Sequence, residues 1–255
     1  VRRSLAIALH ELRILRHDSF PVMMLAVMPL VGMVFMKSAF RTTMLADGIH
    51  HANGAEQAVP GIAVTFGTLL IGSVGYGFYR EHAWKTWQRL RASPATTAEV
   101  MCGKVVVPML MAACQFALLF GLGSLLLGLH LAGSWLALSL VAVAFSLFLI
   151  ALGLAVTAVC KTVMQANAVT YVGGVLLACL GGALVPYSTL PGWAKAISPA
   201  VPHYWAMRGY QDVILGRGGG IALPVAMLLA FAAVLGLLAA WRMRFEDTKT
   251  GFAIS

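Results

Sequence analysis

The sequence predicts an all-α membrane protein with six transmembrane helices, and three observations carry that reading. The first is composition. Apolar residues make up 60% of the 255-residue chain and charged residues 11%, against about 25% charged in a typical soluble protein. With a mean hydropathy of +0.86, a soluble chain of this size has too little interior to hide its apolar surface, and disorder requires the opposite composition. The second is the placement of charge: stretches 19–36, 57–79, 105–160, 162–194 and 218–241 contain no Asp, Glu, Lys or Arg. The third is an uneven distribution of the basic residues between the segments that join these stretches.

A helix crossing the hydrocarbon core needs roughly 20 apolar residues at about 1.5 Å each. The stretch 105–160 is long enough for two crossings, and Gly128, His130, Gly133 and Ser134 supply a turn inside it. The spans therefore fall near 20–39, 59–79, 105–128, 135–159, 168–186 and 221–241. Without water to bond the backbone, each must be helical, and the short alternating segments of a β-barrel do not occur. Residues 1–255 read as one domain, with 1–19, 80–104 and 187–220 as its main non-spanning parts.

Orientation follows from the positive-inside rule. With the N-terminus in the cytoplasm, segments 1–19, 80–104, 160–167 and 242–255 lie inside and hold 13 of the 18 basic residues. An even number of spans returns the C-terminus to the cytoplasm, giving a multi-pass protein of the cell membrane. The net charge of +9 is thus mainly a topology signal. Its residues sit at span ends, not on a nucleic-acid-binding face. In the leader, Leu5, Ala8, Leu9, Leu12 and Leu15 recur at helical spacing, with Arg3, His10, Arg13 and His17 on another side. That pattern predicts an interfacial helix on the anionic leaflet; a basic tail is the plainer alternative. No small-x-small cleavage site follows Lys37, and five spans come after it, so span one reads as retained.

Several function classes lack their residues. All nine acidic residues (Glu11, Asp18, Asp47, Glu56, Glu81, Glu99, Asp212, Glu246 and Asp247) fall outside the assigned spans, whereas an ion-driven carrier needs an ionisable group near the midplane. His50-His51, near Asp47 and Glu56, reads as a solvated loop before a metal site. Gly103-Lys104 is followed by Val105 and preceded by Ala98 at the position of the first P-loop glycine, so no phosphate cradle exists. Cys102, Cys114, Cys160 and Cys179 lack ligand spacing and read as small apolar residues. The methionines of span one (Met23, Met24, Met28, Met33 and Met36) read as lipid-facing or packing residues. Ser146 has no histidine at its depth to activate it. The expectation is a chain without an enzymatic site, metal or cofactor, whose energy for any uphill transport comes from a partner.

Two segments carry most of the functional information. Within 80–104, Glu81 to Arg91 can form one helix that Pro94 ends. Trp84, Trp87 and Arg91 share a face, and Glu81 and Lys85 form an i,i+4 pair. Such a knob suits docking into a groove of a cytoplasmic protein; an interfacial helix with its indoles at the headgroups is the alternative. Here the chain resembles the permease subunits of type-2 ABC exporters. The family's pattern of Glu, Gly-Thr, Leu, Ser-Pro, an acidic residue and Gly-Lys finds Glu81, Thr86, Leu90, Ser93-Pro94, Glu99 and Gly103-Lys104, with Lys85 replacing the glycine. The segment 187–220 resembles the family's Leu-Pro-x-Trp…Asn-Pro…Arg pattern through Leu190-Pro191-Gly192-Trp193, Ser198-Pro199 and Arg208, with Ser198 in place of Asn. Its prolines favour two short helices, near 192–198 and 203–215, with Tyr204 in the second.

The resemblance implies a division of labour. The loop would be a coupling helix, contacting an ABC ATPase subunit through Glu81, Trp84, Lys85, Thr86, Trp87, Arg89, Leu90, Arg91 and Pro94. ATP and magnesium would sit on that ATPase. The segment 187–220, with Pro191, Trp193, Pro199, Tyr204 and Arg208, would be an extracytoplasmic re-entrant hairpin dipping into the outer leaflet. A second permease chain, identical or paralogous, would complete the unit in membrane lipid, and the cargo would be an amphipathic or apolar molecule such as a drug, an antibiotic or a lipid. In span five, Gly174, Ala178 and Gly182 recur every four residues, with Gly173 and Gly181 beside them. Such a stripe lets helices approach closely, either between two permeases or within one chain. The rival classes are a membrane scaffold or assembly factor and an exporter of glycans or lipid-linked polymers.

Overall fold

The computed structural model describes residue 13 and residues 20–49, 52–84, 97–217 and 219–242. The described residues are mainly helical, without β-strands. The elements are α1 (Phe20–Ala46), α2 (Ala55–Gly67), α3 (Leu69–Ala83), α4 (Thr97–Leu127), α5 (Trp135–Val159), α6 (Val163–Leu180), α7 (Gly192–Ile197), α8 (Pro202–Leu215) and α9 (Ala222–Arg242). Short 3₁₀ turns at Tyr187–Thr189 and Ser198–Ala200 flank α7.

Local chemistry explains the boundaries. Ser134 caps α5 by accepting the Ala137 N–H at 3.1 Å. Thr162 caps α6 by accepting the Gln165 N–H at 3.2 Å, while the Gln165 side chain reaches back to the Lys161 N–H. Both satisfy amides that a helix start leaves open. Helix α6 ends at Leu180, and Gly182 (φ 83°) turns the chain with a backbone that favours glycine. Helix α4 starts at Thr97, with Glu99 in its first turn, where its charge suits the helix dipole. The charge-free stretch begins only at 105 because Lys104 lies inside the helix: hydropathy marks the apolar part of a helix, not its ends.

Five helical stretches among the described residues are long and apolar enough to cross a membrane: Ala55–Gly77, Gly103–Leu127, Trp135–Val159, Val163–Leu180 and Ala222–Arg242. The first is α2 and α3 joined at Thr68, whose N–H and hydroxyl both donate to the Thr65 carbonyl. Its first turn holds Glu56, which the sequence places just outside a span. The chain is therefore a multi-pass helical membrane protein.

Helix α5 is the axis of the bundle. It packs against α3, α4, α8 and α9, and 67% of its span is buried, against 22% for α6 and 17% for α9. The core runs through edge and stacked ring contacts of Phe116, Phe120, Phe145, Phe148 and Tyr210. Contacts define two ends. The roof end gathers 47–49, 52–54, 128–134, 181–217 and 219–221. The loop end gathers the close of α3, the start of α4 and the α5–α6 turn.

Candidate functional site

The roof is built on α8. Pro202 occupies its first turn, and Gly216 (φ 63°) closes it by donating to the Asp212 carbonyl. It buries His203, Trp205, Met207, Tyr210, Val213 and Ile214. Trp205 Nε1 donates to the Pro199 carbonyl at 2.8 Å, tying α8 to the preceding turn. The buried Ser198 hydroxyl lies within bonding reach of the Leu180 and Ala194 carbonyls, at 2.7 and 2.8 Å. Serine at this position thus fastens α7 to the end of α6. Pro191 precedes α7, and Trp193 is exposed on it. Tyr204 packs edge-on to Trp205 and tilted against Tyr187. Arg208 lies over the Trp205 ring and 3.9 Å from Asp212, a partly exposed pair of small energetic weight.

A chain of amides locks this roof to the bundle. Gln57, buried in α2, donates from Nε2 to the Gly182 carbonyl at 2.9 Å and accepts from Gln211 Nε2 of α8. Beside it, Lys37 Nζ of α1 donates to the Leu127 carbonyl at 2.7 Å, and Asn53 Nδ2 donates to the Gly128 carbonyl at 2.7 Å. A cation and an amide therefore satisfy the open carbonyls at the end of α4. Glu56 accepts the Asn53 and Gly54 N–H groups, both at 3.1 Å, at the start of α2. Gly54 (φ 91°) lies against the Lys37 carbonyl, where no side chain fits.

His203 is fully buried, edge-on to Phe145 and Phe148 at 5.3 and 5.9 Å. Burial pulls its imidazole from the ordinary 6.5 down to about 3, so it is neutral at physiological pH. Burial likewise pushes the Tyr210 phenol up.

At the loop end, Tyr79 Oη donates to the Cys160 carbonyl at 3.0 Å and Lys104 Nζ donates to the Gly77 carbonyl at 3.1 Å. Glu81 lies in the last turn of α3 and Trp84 just beyond it, with Trp84 60% exposed. Lys85, Thr86, Trp87, Arg89, Leu90, Arg91 and Pro94 lie outside the described residues, as does the leader apart from Arg13.

The small-residue stripe of α6 faces into its own chain. Gly174 lies against Thr68, where an added methyl would stand 3.1 Å from the Thr68 side chain. Ala178 is fully buried, and the Gly182 carbonyl takes the Gln57 bond. All three residues thus make contacts within the chain. The opposite side of α6 exposes Met164, Val172, Val175 and Leu176.

Sequence reasoning missed Gln57, Gln211, Lys37, Tyr79 and His203. Lys37 and Gln57 carried a signal, being polar side chains at the edge of apolar stretches that must find partners when buried. Which carbonyls they reach depends on tertiary structure and leaves no local pattern.

A mainly helical body with several apolar spans and a polar-locked roof defines a multi-pass membrane component. The sequence model of the ABC-2 type transporter family matches residues 6–215, and the chain belongs to that family. It is also similar to the protein described as "Probable multidrug ABC transporter permease YbhR" of Escherichia coli strain K12, at 26% identity over 149 residues. The match covers 58% of this chain and 39% of that protein, and the counterpart from Escherichia coli O157:H7 matches equally. The chain thus aligns over well under half the length of these curated relatives. No solved structure matches it.

Proposed function

We propose that this chain is the membrane-spanning permease subunit of an ATP-driven ABC exporter that moves an amphipathic or hydrophobic molecule across the cell membrane. The family match over residues 6–215 carries the reading, and the relative's description as a multidrug permease supports the cargo class. A separate ABC ATPase binds ATP and magnesium and docks on the coupling segment around Glu81, Trp84 and Trp87. Helix α1 supplies the sixth crossing, with both termini in the cytoplasm. Residues 187–220 form the extracytoplasmic hairpin. A second permease, identical or paralogous, meets this one along α6, where Val172, Val175 and Leu176 form an open apolar side next to the Gly174 stripe.

The test is transport of the lipophilic dye rhodamine 6G in inverted membrane vesicles. Vesicles holding the permease and its ATPase should accumulate the dye on ATP addition and stop with vanadate. A scaffold would give no ATP-dependent accumulation. A reporter after Ser255 should be active only in its cytoplasmic form; the opposite result would reverse the topology. Paired cysteines at Val172 or Leu176 should crosslink between chains, and crosslinks confined to one chain would remove the α6 contact.

A further inference from the structure

The loop end contains a mechanical difficulty and the contacts that resolve it. If segment 85–96 receives the push of an ATPase, α3 is the helix that leads into it. Helix α3 contains Gly72, Gly75 and Gly77 within fifteen residues. Glycine in a helix interior raises the entropy of the competing states and leaves no side chain to pack. Taken alone, this helix is a soft strut.

Its neighbours stiffen it. A methyl added at Gly153 of α5 would come within 2.9 Å of the Ile71 carbonyl and the Val74 side chain, and one added at Gly75 within 3.0 Å of Thr157 Oγ1. The two backbones therefore run in direct contact. Beyond that contact, two long-range bonds hold the last turns of α3. Tyr79, 1% exposed, donates to the Cys160 carbonyl, which caps α5 and has no acceptor role inside that helix. Lys104, 5% exposed, carries its ammonium to the Gly77 carbonyl in the second half of α3. One bond spans to the α5–α6 turn and the other to α4.

We propose that Tyr79 and Lys104 are positioning residues that make the last turns of α3 move as one piece with α4 and the α5–α6 turn. A displacement at 85–96 is then carried into the bundle instead of being absorbed by bending at Gly72, Gly75 and Gly77. The inference rests on the coupling role proposed for that segment. It assigns Tyr79 and Lys104 no contact with the ATPase or the cargo.

The experiment compares hydrogen exchange of the intact permease–ATPase complex in lipid nanodiscs, with and without ATP plus vanadate. In wild type, nucleotide should change exchange at 85–96 and also at 160–166 and at 100–107 of α4. The response at 85–96 should persist in both variants, while that at 160–166 falls about fivefold in Tyr79→Phe and that at 100–107 falls about fivefold in Lys104→Met, the factor that one net hydrogen bond carries. Lys104→Arg, which keeps a cationic donor, should restore the response at 100–107. Undiminished responses at 160–166 in Tyr79→Phe and at 100–107 in Lys104→Met would overturn the inference while leaving the coupling role intact. So would a loss of protection across α3 and α5 that is the same with and without nucleotide, since that is ordinary destabilisation. No response at 85–96 in wild type would overturn the coupling role itself, and this inference with it.

Discussion

Helices α5 and α9 have nearly the same hydropathy, 2.6 and 2.5, yet 67% of one span and 17% of the other is buried. Lipid tails are as apolar as leucine, so greasiness places a helix in the membrane without saying whether it faces protein or lipid. What separates the two is fine detail. Helix α5 buries Ser146, Gly153 and Thr157 among its large side chains, and each hydroxyl bonds back to its own helix. Gly153 and Thr157 let α3 come close. Helix α9 exposes Val234, Leu237, Leu238 and Trp241, and its Gly236 has open space around it.

The sharpest way to break this comparison is to cut away a large side chain on each helix. Phe145 is fully buried, with ring neighbours Phe116, Phe148 and His203 at 6.1, 6.0 and 5.3 Å. Phe145→Ala should cost about 3–5 kcal/mol. Leu237→Ala, at a site 72% exposed, should stay within about 0.5 kcal/mol. Thermal unfolding in detergent measures both, and equal losses would erase the distinction between axis and periphery.

A smaller effect comes from one methyl group. Gly153→Ala should cost about 1–3 kcal/mol, because the methyl meets the Ile71 carbonyl and Val74 at 2.9 Å. Gly236→Ala meets nothing within 4 Å and should gain about 0.5–1 kcal/mol in helix propensity. The same substitution then has opposite signs on the two helices.

A further effect concerns pH and sharpens the account of the rings on α5. The unfolded chain binds a proton on His203 below about pH 6.5, while the folded chain resists it down to about 3. Stability from this burial is complete above about 6.5 and declines as pH falls towards about 3. His203→Phe keeps a ring against Phe145 and Phe148 and should flatten the midpoint-versus-pH curve between pH 7 and pH 5. A variant as acid-sensitive as wild type would show that another group governs the decline.

Much of the fold was legible because the membrane imposes it. Charge-free stretches located the five apolar spans, and Pro191, Pro199 and Pro202 marked where the roof breaks into the short helices α7 and α8. The site was less legible. Gly174, Ala178 and Gly182 have the spacing of a close-packing stripe, but spacing alone does not say against what; within the chain Gly174 meets Thr68 and the Gly182 carbonyl accepts from Gln57. Lys37 falls inside the first span that the sequence predicts, and nothing local reveals that it reaches the Leu127 carbonyl. Side-chain to carbonyl bonds between distant segments are set by the assembled bundle, and these are the bonds that hold the roof.

The central claim is that this chain works as the membrane half of an ATP-driven machine. The most direct measurement is vanadate-sensitive ATP hydrolysis in material purified through a tag on this chain from its native membranes. The wild-type chain should bring down such activity, and a Trp84→Ala/Trp87→Ala variant, inserted at the same level, should lose most of it, since buried aromatic anchors at an interface are worth roughly 2 kcal/mol or more each. Absence of ATP hydrolysis with the wild-type chain, or equal hydrolysis with both, would contradict the account.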